Sequence, residues 1–312
     1  MEVSAIKKRI ISFAVVLCAL IAVVLILIFR TGAPEAPVIE SSPPPSHAVI
    51  KTPPPVVTTP SPTPVEPEPE PEPEPSSPPV MLEKYDELYA QNNDLVGWIR
   101  VPNTVIDYPV VHDLTNSYYL DYDFDGNRSA GGTIFLGAES DLLENNRSFS
   151  LFGHSMKNGS MFTAVKKYQS LDYYKQWPYF EFDTLYEDGQ YLIFSAFYMA
   201  GSASDKLFYY YLVAEFEDDD AFMAHVDQIR TRSIYNIPVD VAPEDQIVLL
   251  TVCTYEADDL RFVVAGRRLR EGETVEIDTS PAALNPEPLY PQVWYNKFGG
   301  TPPETTFSQS AN

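Results

Sequence analysis

Three side chains that lie far apart in the sequence, Cys253, His154 and Arg261, could together carry out acyl transfer. A cysteine thiolate attacks carbonyl carbons, and a neighbouring imidazole can hold or deliver the proton that moves during the reaction. A guanidinium in the same place can stabilise the oxyanion of a tetrahedral intermediate. Each residue stands where a β-rich run begins or ends, so the sequence predicts a site at one edge of a sheet.

Cys253 directly follows the run QIVLLTV (246–252), whose apolar residues predict a buried strand. The chain has two cysteines, and the other, Cys18, lies in an apolar segment near the N-terminus. The two cannot meet within one chain on that interpretation, so Cys253 is expected to be a free thiol. Free cysteines are often buried and inert, and this alternative stays open.

His154 follows the run FSLFG (149–153) and precedes the polar turn SMKNGS (155–160), which places it at a strand end. There its imidazole could exchange a proton with a thiol. The other histidines are interpreted as structural residues; they are His47, His112 and His225.

Arg261 opens a second apolar run eight residues after Cys253, so the loop TYEADDL (254–260) can return the chain antiparallel. Neighbouring strands lie about 4.8 Å apart, which would bring the guanidinium beside the sulfur. A surface ion pair with Asp258 or Asp259 is the alternative interpretation of this arginine.

Eight short β-rich runs predict a mainly β domain, either a closed barrel or a sandwich. The runs are 96–101, 105–111, 132–136, 149–153, 179–183, 191–199, 246–252 and 261–268. Apolar residues at three- and four-residue spacing predict a helix over 81–92, and further helices are expected at 160–168, with Ser160 as its cap, and at 218–230. The fold class is therefore mainly β with added helices.

The N-terminal part of the chain has a different composition. Residues 10–29 are almost uninterruptedly apolar and long enough to cross a bilayer, and Lys7, Lys8 and Arg9 precede them. This pattern predicts an uncleaved single-pass anchor with residues 1–9 in the cytoplasm and the rest outside. Residues 30–80 contain most of the prolines and alternate Glu with Pro, which predicts a stalk without a folded core, about 100–150 Å long if mostly extended. A disordered linker of no special length is the alternative interpretation.

The remaining sequence divides into a folded domain at 81–275 and a Pro-rich tail at 276–312. The tail keeps several aromatic residues, and the sequence leaves open whether it packs on the domain. The formal net charge is −23. Because a chain with this much negative charge repels the phosphate backbone, nucleic acid is not expected as a partner.

Six blocks of the chain resemble successive blocks of the class B sortases. They are VGWIRVPNTVIDYPVV, NSYYLDYDFDG, GGTIFL, LFGHSMKNGSMF, VLLTVCTYE and RFVVAGRR. The resemblance covers about residues 81–270 and implies an eight-stranded β-barrel preceded by an N-terminal helix. It also implies a His–Cys–Arg site, and block matching assigns those roles to His154, Cys253 and Arg261.

The resemblance implies a cysteine transpeptidase. Such an enzyme cleaves a C-terminal sorting motif of secreted proteins through a thioester and transfers them to an amine of a peptidoglycan precursor. The expected partners are thus sorting-signal proteins, that amine, and the membrane through residues 10–29; no cofactor and no metal are expected. Pilin polymerisation is an alternative activity, and a stalked adhesin or an inactive sortase-like binding domain is the alternative from another class.

Two stretches of the sequence depart from the family pattern. Sortases usually carry TLxTC at the nucleophile, whereas residues 249–253 read LLTVC, with Val252 in place of threonine. Gly137 and Ala138 stand where many relatives carry an acid. Neither departure removes the thiol, the imidazole or the guanidinium.

Two other motifs would indicate different functions, but each lacks a residue that its function requires. DYDFDG (121–126) matches the start of an EF-hand calcium loop, but its twelfth position would be Gly132, where a glutamate is needed. Ser155 could be a hydrolase nucleophile, but the sequence around it lacks G-x-S-x-G.

Overall fold

Eight strands close into a barrel in the computed structural model, which describes residues 79–115, 117–142, 146–201 and 214–302. The strands are Leu95–Arg100 (β1), Asp107–His112 (β2), Ile134–Leu136 (β3), Ser148–Gly153 (β4), Tyr179–Thr184 (β5), Gln190–Ala200 (β6), Ile247–Cys253 (β8) and Leu260–Arg268 (β9). All eight predicted β-rich runs are therefore strands. Two further two-residue strands, Tyr235–Asn236 (β7) and Ala283–Leu284 (β10), pair with each other.

The order of strands around the barrel decides which strand ends become neighbours. It runs β1-β2-β3-β4-β8-β9-β6-β5, and β5 pairs with β1 to close the circle. Six of the eight neighbouring pairs are antiparallel, whereas β2 with β3 and β4 with β8 run parallel. The C-terminal ends of β4 and β8 therefore lie at the same rim as the N-terminal end of β9.

Apolar residues on both faces of the central strands account for their burial. In β8 every residue from Ile247 to Val252 is buried, and β6 is buried from Tyr191 to Ala200. One face of each strand fills the barrel, and the other packs under helices, which is why these runs are continuously apolar instead of alternating.

Helices are present near the predicted positions 81–92 and 218–230, and three further α-helices in the described ranges were not predicted. A 3₁₀ turn at Glu83–Tyr85 leads into α1 (Asp86–Gln91), so the helix predicted over 81–92 is shorter than expected. The others are α2 (Tyr118–Asp121), α3 (Leu171–Gln176), α4 (Asp219–Arg232) and α5 (Gln292–Phe298). The Asp218 side chain caps α4 by accepting from the Ala221 N–H at 2.8 Å.

The predicted helix at 160–168 is a 3₁₀ helix, Phe162–Gln169, and the prediction that Ser160 caps it is wrong. The Ser160 hydroxyl instead donates to the Asn158 side chain at 2.7 Å. Met161 precedes the helix at a φ of 55°, so the chain enters it from the left-handed region.

Residues 276–302 pack on the barrel. Leu289 is buried, and the Asn285 amide donates to the Ser233 carbonyl at 2.7 Å. The Trp294 ring of α5 stacks on Tyr290 and lies 4.7 Å from the ring of Tyr198 in β6. The sequence left open whether the tail packs on the domain, and these contacts show that residues 276–302 do.

The predicted anchor at 10–29 and most of the predicted stalk at 30–80 lie outside the described residues. Within the described ranges, none of the helices is both long enough and apolar enough to cross a membrane.

Candidate active site

Cys253 is the last residue of β8, and its surroundings change abruptly at that point. The six preceding residues are buried, whereas Cys253 is exposed. A residue at the end of a buried strand is held by the strand's ladder hydrogen bonds while its side chain reaches the barrel surface. The thiol is therefore both fixed and accessible, so the alternative of a buried cysteine is wrong.

His154 reaches the same place through the parallel pairing of β4 with β8. Gly153 lies opposite Val252 in this register, so the next residue along each strand brings His154 beside Cys253. Gly153 itself is needed for close packing, because a Cβ there would lie 2.4 Å from Ile134 Cδ1 and 2.8 Å from Phe162 Cγ.

A backbone carbonyl orients the His154 ring. Nε2 lies 2.9 Å from the Leu120 carbonyl oxygen. Because a carbonyl oxygen only accepts hydrogen bonds, Nε2 carries a hydrogen in this arrangement. Proton exchange with a substrate or a thiol is then left to Nδ1.

Arg261 lies directly opposite Cys253 in the antiparallel pair of β8 and β9. The loop between them is closed by the Thr254 N–H and hydroxyl, which both donate to the Leu260 carbonyl, at 2.9 and 3.2 Å. Residues directly opposite in such a pair have Cα atoms about 4.5–5.5 Å apart. The guanidinium therefore starts from a backbone position next to that of the thiol.

The charge of Arg261 is available to a ligand. Among the residues that the structure describes, no carboxylate forms an ion pair with it, so neither Asp258 nor Asp259 takes the role that the sequence left open. Gly201 in the next strand's extension leaves room for the side chain, since a Cβ there would lie 2.6 Å from Arg261 Nε.

One cleft contains all three side chains. Its volume is about 280 Å³. Besides His154, Cys253 and Arg261, its lining consists of Leu120, Phe135, Phe152, Gly153, Gly201 and Thr251. Most of this wall is apolar, which favours contact with a peptide side chain.

The two departures from the family pattern lie outside this cleft. Thr251 and Cys253 line it, and successive side chains of a strand alternate in direction, so Val252 faces the other way and is fully buried. A threonine at 252 would not present its hydroxyl to the cleft in this register. Gly137 and Ala138 follow β3 and do not line the cleft either.

The competing motifs do not assemble a site. The Asp123 carboxylate of DYDFDG accepts from the backbone N–H groups of Asp125 and Asn127, and so closes its own turn. Within the described ranges no group of three or more His, Cys, Asp or Glu side chains could hold a metal ion. The Ser155 hydroxyl is buried, so it is not presented as a nucleophile.

Sequence reasoning missed two backbone-mediated contacts at the site. One is the Leu120 carbonyl that binds His154. The other is a hydrogen bond from the Tyr255 hydroxyl to the Ser155 carbonyl, which ties the loop after Cys253 to the turn after His154. Carbonyls carry no sequence signal, so only the position of Tyr255 beside the cysteine could have drawn attention to it.

Comparison with known proteins points to one family. Sortase B of Staphylococcus aureus is 29% identical over 189 residues, which cover 60% of this chain and 75% of that protein. The crystal structure of a Bacillus anthracis protein similar to sortase B is 30% identical, with a TM-score of 0.56, over 64% of this chain and 88% of that one. A Staphylococcus aureus sortase B–substrate complex is 28% identical, with a TM-score of 0.56, over 62% and 87% of the two chains. No protein-family model matches the sequence.

These relatives place the chain among the cysteine transpeptidases. More narrowly, the chain belongs to the class B sortases, as its sequence blocks predict.

Proposed function

We propose that this class B sortase cleaves a C-terminal sorting motif of secreted proteins and joins the cleaved protein to an amine of a peptidoglycan precursor. The register of β4, β8 and β9, which brings His154, Cys253 and Arg261 to one rim, carries the proposal. The substrate complex of the Staphylococcus aureus relative supports substrate binding by this chain as well.

The first half of the reaction forms a thioester. The Cys253 thiolate attacks the carbonyl carbon of the scissile peptide bond, and the C=O electron pair moves to oxygen. Arg261 donates hydrogen bonds to this oxyanion. The intermediate then collapses, the C–N bond breaks, and His154 gives its proton to the leaving amine.

The second half transfers the acyl group. An amine of the acceptor attacks the thioester carbonyl, and His154 takes the proton that the attacking nitrogen loses. The C–S bond breaks and the electron pair returns to Cys253 as thiolate.

The location that we propose is the outer face of the cell membrane. Residues 10–29 would anchor the chain with residues 1–9 in the cytoplasm, and residues 30–80 would hold the catalytic domain away from the bilayer. The apolar length of the first segment, the basic residues before it and the proline content of the second support this arrangement.

The test uses the full-length protein with synthetic sorting peptides and an acceptor amine. Cys253→Ala is expected to abolish both peptide cleavage and the amide product, measured by mass spectrometry, because the nucleophile is gone. Cys18→Ala is the matched control and is expected to keep wild-type turnover. Cleavage that survives in Cys253→Ala would rule out the mechanism.

The same assay separates the alternatives. A wild-type protein that binds peptides without cleaving them, and whose Cys253 labels with iodoacetamide, would indicate an inactive binding domain. An amide product to a protein lysine, with none to a peptidoglycan amine, would indicate pilin polymerisation.

A further inference from the structure

We propose that Asp113 and Gly132 are positioning residues: they hold the Leu120 carbonyl against His154 and thereby select the imidazole tautomer that has its hydrogen on Nε2. The proposal rests on the proposed function, in which His154 gives and takes protons through its other nitrogen. Neither residue lines the cleft, and both act through the backbone of the segment that carries Leu120.

Asp113 holds this segment from one side. It follows β2 directly and is only 2% exposed. One carboxylate oxygen accepts from the Thr115 N–H at 2.9 Å and from its hydroxyl at 2.6 Å, and the other accepts from the Tyr119 N–H at 3.0 Å. A carboxylate only accepts hydrogen bonds and forms strong ones, so it anchors the peptide that leads to Leu120.

Gly132 holds the same segment from the other side. Its φ is +58°, and a Cβ there would lie 2.2 Å from the Tyr119 carbonyl oxygen and 2.8 Å from that of Leu120. The next residue, Thr133, donates its N–H to the Tyr119 carbonyl at 2.9 Å. Only a glycine allows the two backbone segments to approach this closely.

Together these contacts leave the Leu120 carbonyl one direction, toward the His154 ring, where it lies 2.9 Å from Nε2. An imidazole in water exchanges between its two neutral tautomers. A fixed carbonyl at Nε2 selects the form whose Nδ1 lone pair can accept a proton. If the carbonyl moves away, a fraction of the protein molecules carries the His154 hydrogen on Nδ1. In those molecules Nδ1 cannot accept a proton, so His154 cannot act as the base.

The first test is Asp113→Asn in the full-length protein. The amide oxygen can still accept from Thr115. The amide nitrogen, however, is a donor and would face another donor, the Tyr119 N–H, so the segment that carries Leu120 must shift. We expect kcat to fall about ten-fold or more, as small displacements of a catalytic group do, while KM changes much less. Asp123→Asn, which removes a carboxylate that closes the neighbouring turn, is expected to keep the wild-type kcat.

A second pair of variants approaches the segment from Gly132. Gly132→Ala adds a methyl group against both carbonyl oxygens and is expected to lower kcat in the same way as Asp113→Asn. Gly272→Ala is the matched control, because Gly272 also has a positive φ, +81°, but has nothing within 4 Å of an added Cβ.

The tautomer can be read directly, without any activity measurement. In protein labelled with ¹⁵N-histidine and held in alkaline solution, where imidazole is neutral, two-dimensional NMR distinguishes Nε2–H from Nδ1–H, and His154→Gln identifies the signal. The wild type is expected to show the Nε2–H form, and folded Asp113→Asn or Gly132→Ala a mixture. An Nδ1–H wild type would overturn the inference even if both variants fail to fold, and so would folded variants with wild-type kcat.

The failure of this inference and that of the proposed function are distinguishable. A wild type that cleaves no sorting peptide contradicts the function and leaves the NMR test intact. An active wild type whose two folded variants keep both turnover and tautomer contradicts only the positioning roles.

Discussion

Arg261 and Arg267 lie near the two ends of β9 and have opposite surroundings. Arg267 is 1% exposed; it donates to Glu273 Oε1 at 3.1 Å, to the Asp240 carbonyl at 3.1 Å, and lies 4.0 Å from Asp245. Arg261 is half-buried in the cleft and has no ion-pair partner among the described residues. The difference teaches that, of these two arginines, only Arg261 meets the condition that its proposed role requires, a guanidinium charge without an ion-pair partner among the described residues.

The same contrast separates two histidines. His154 lies half-buried at the cleft with a carbonyl at Nε2. His225 lies on the buried face of α4, and this burial, with the charge of Arg232 adding to it, lowers the pKa of its imidazole to about 4. The ring of His154 lines the cleft, as the proposed mechanism requires, whereas burial in the core favours the neutral form of His225.

Among the substitutions that test this contrast, we expect the largest effect at Arg261, where turnover should fall. Arg261→Lys should lower kcat/KM by about 10²–10³-fold, the cost of losing a donor to an oxyanion, because an ammonium lacks the planar fork of the guanidinium. The melting temperature should stay near that of the wild type. Arg128→Lys, an exposed arginine outside the cleft, is the control for turnover. Near-wild-type turnover of Arg261→Lys would make Arg261 a structural residue.

Arg267 should show the reverse pattern. Arg267→Met should lower the free energy of unfolding by about 3 kcal/mol, since it leaves the buried Asp245 with one cation fewer. Turnover per folded molecule should not change. Arg268 forms an ion pair with Glu187 on the surface, so Arg268→Met should lower the free energy of unfolding by less than about 1 kcal/mol. If urea titrations gave equal losses of unfolding free energy for Arg267→Met and Arg268→Met, the special role of the buried ion pairs of Arg267 would be contradicted.

The smallest effect concerns His225 and pH. Its folded pKa of about 4 lies below the ordinary 6.5, so between these values the unfolded chain binds a proton that the folded chain does not. Stability should therefore fall as pH is lowered from 6.5 toward 4. His225→Gln should flatten this part of the curve of melting temperature against pH. An unchanged slope in His225→Gln would show that other groups cause the acid sensitivity.

The composition of the chain was enough to predict the eight strands, because runs such as 246–252 and 261–268 have too many β-branched and aromatic residues for loops and are too short for core helices. It did not predict the parallel pairing of β4 with β8. Parallel neighbours are joined through long crossovers, so their register depends on everything packed between residues 153 and 247.

The sequence by itself determined that a free cysteine, a histidine and an arginine stand at strand ends, and that the chain resembles the class B sortases. Only the tertiary structure decided that those three strand ends share a rim and that a carbonyl orients His154. It also decided that Arg267 forms ion pairs, whereas Arg261 has no ion-pair partner among the described residues. The physical reason is that residue type and spacing follow local backbone geometry. Burial, ion pairing and backbone hydrogen bonds depend on segments that lie far away along the chain.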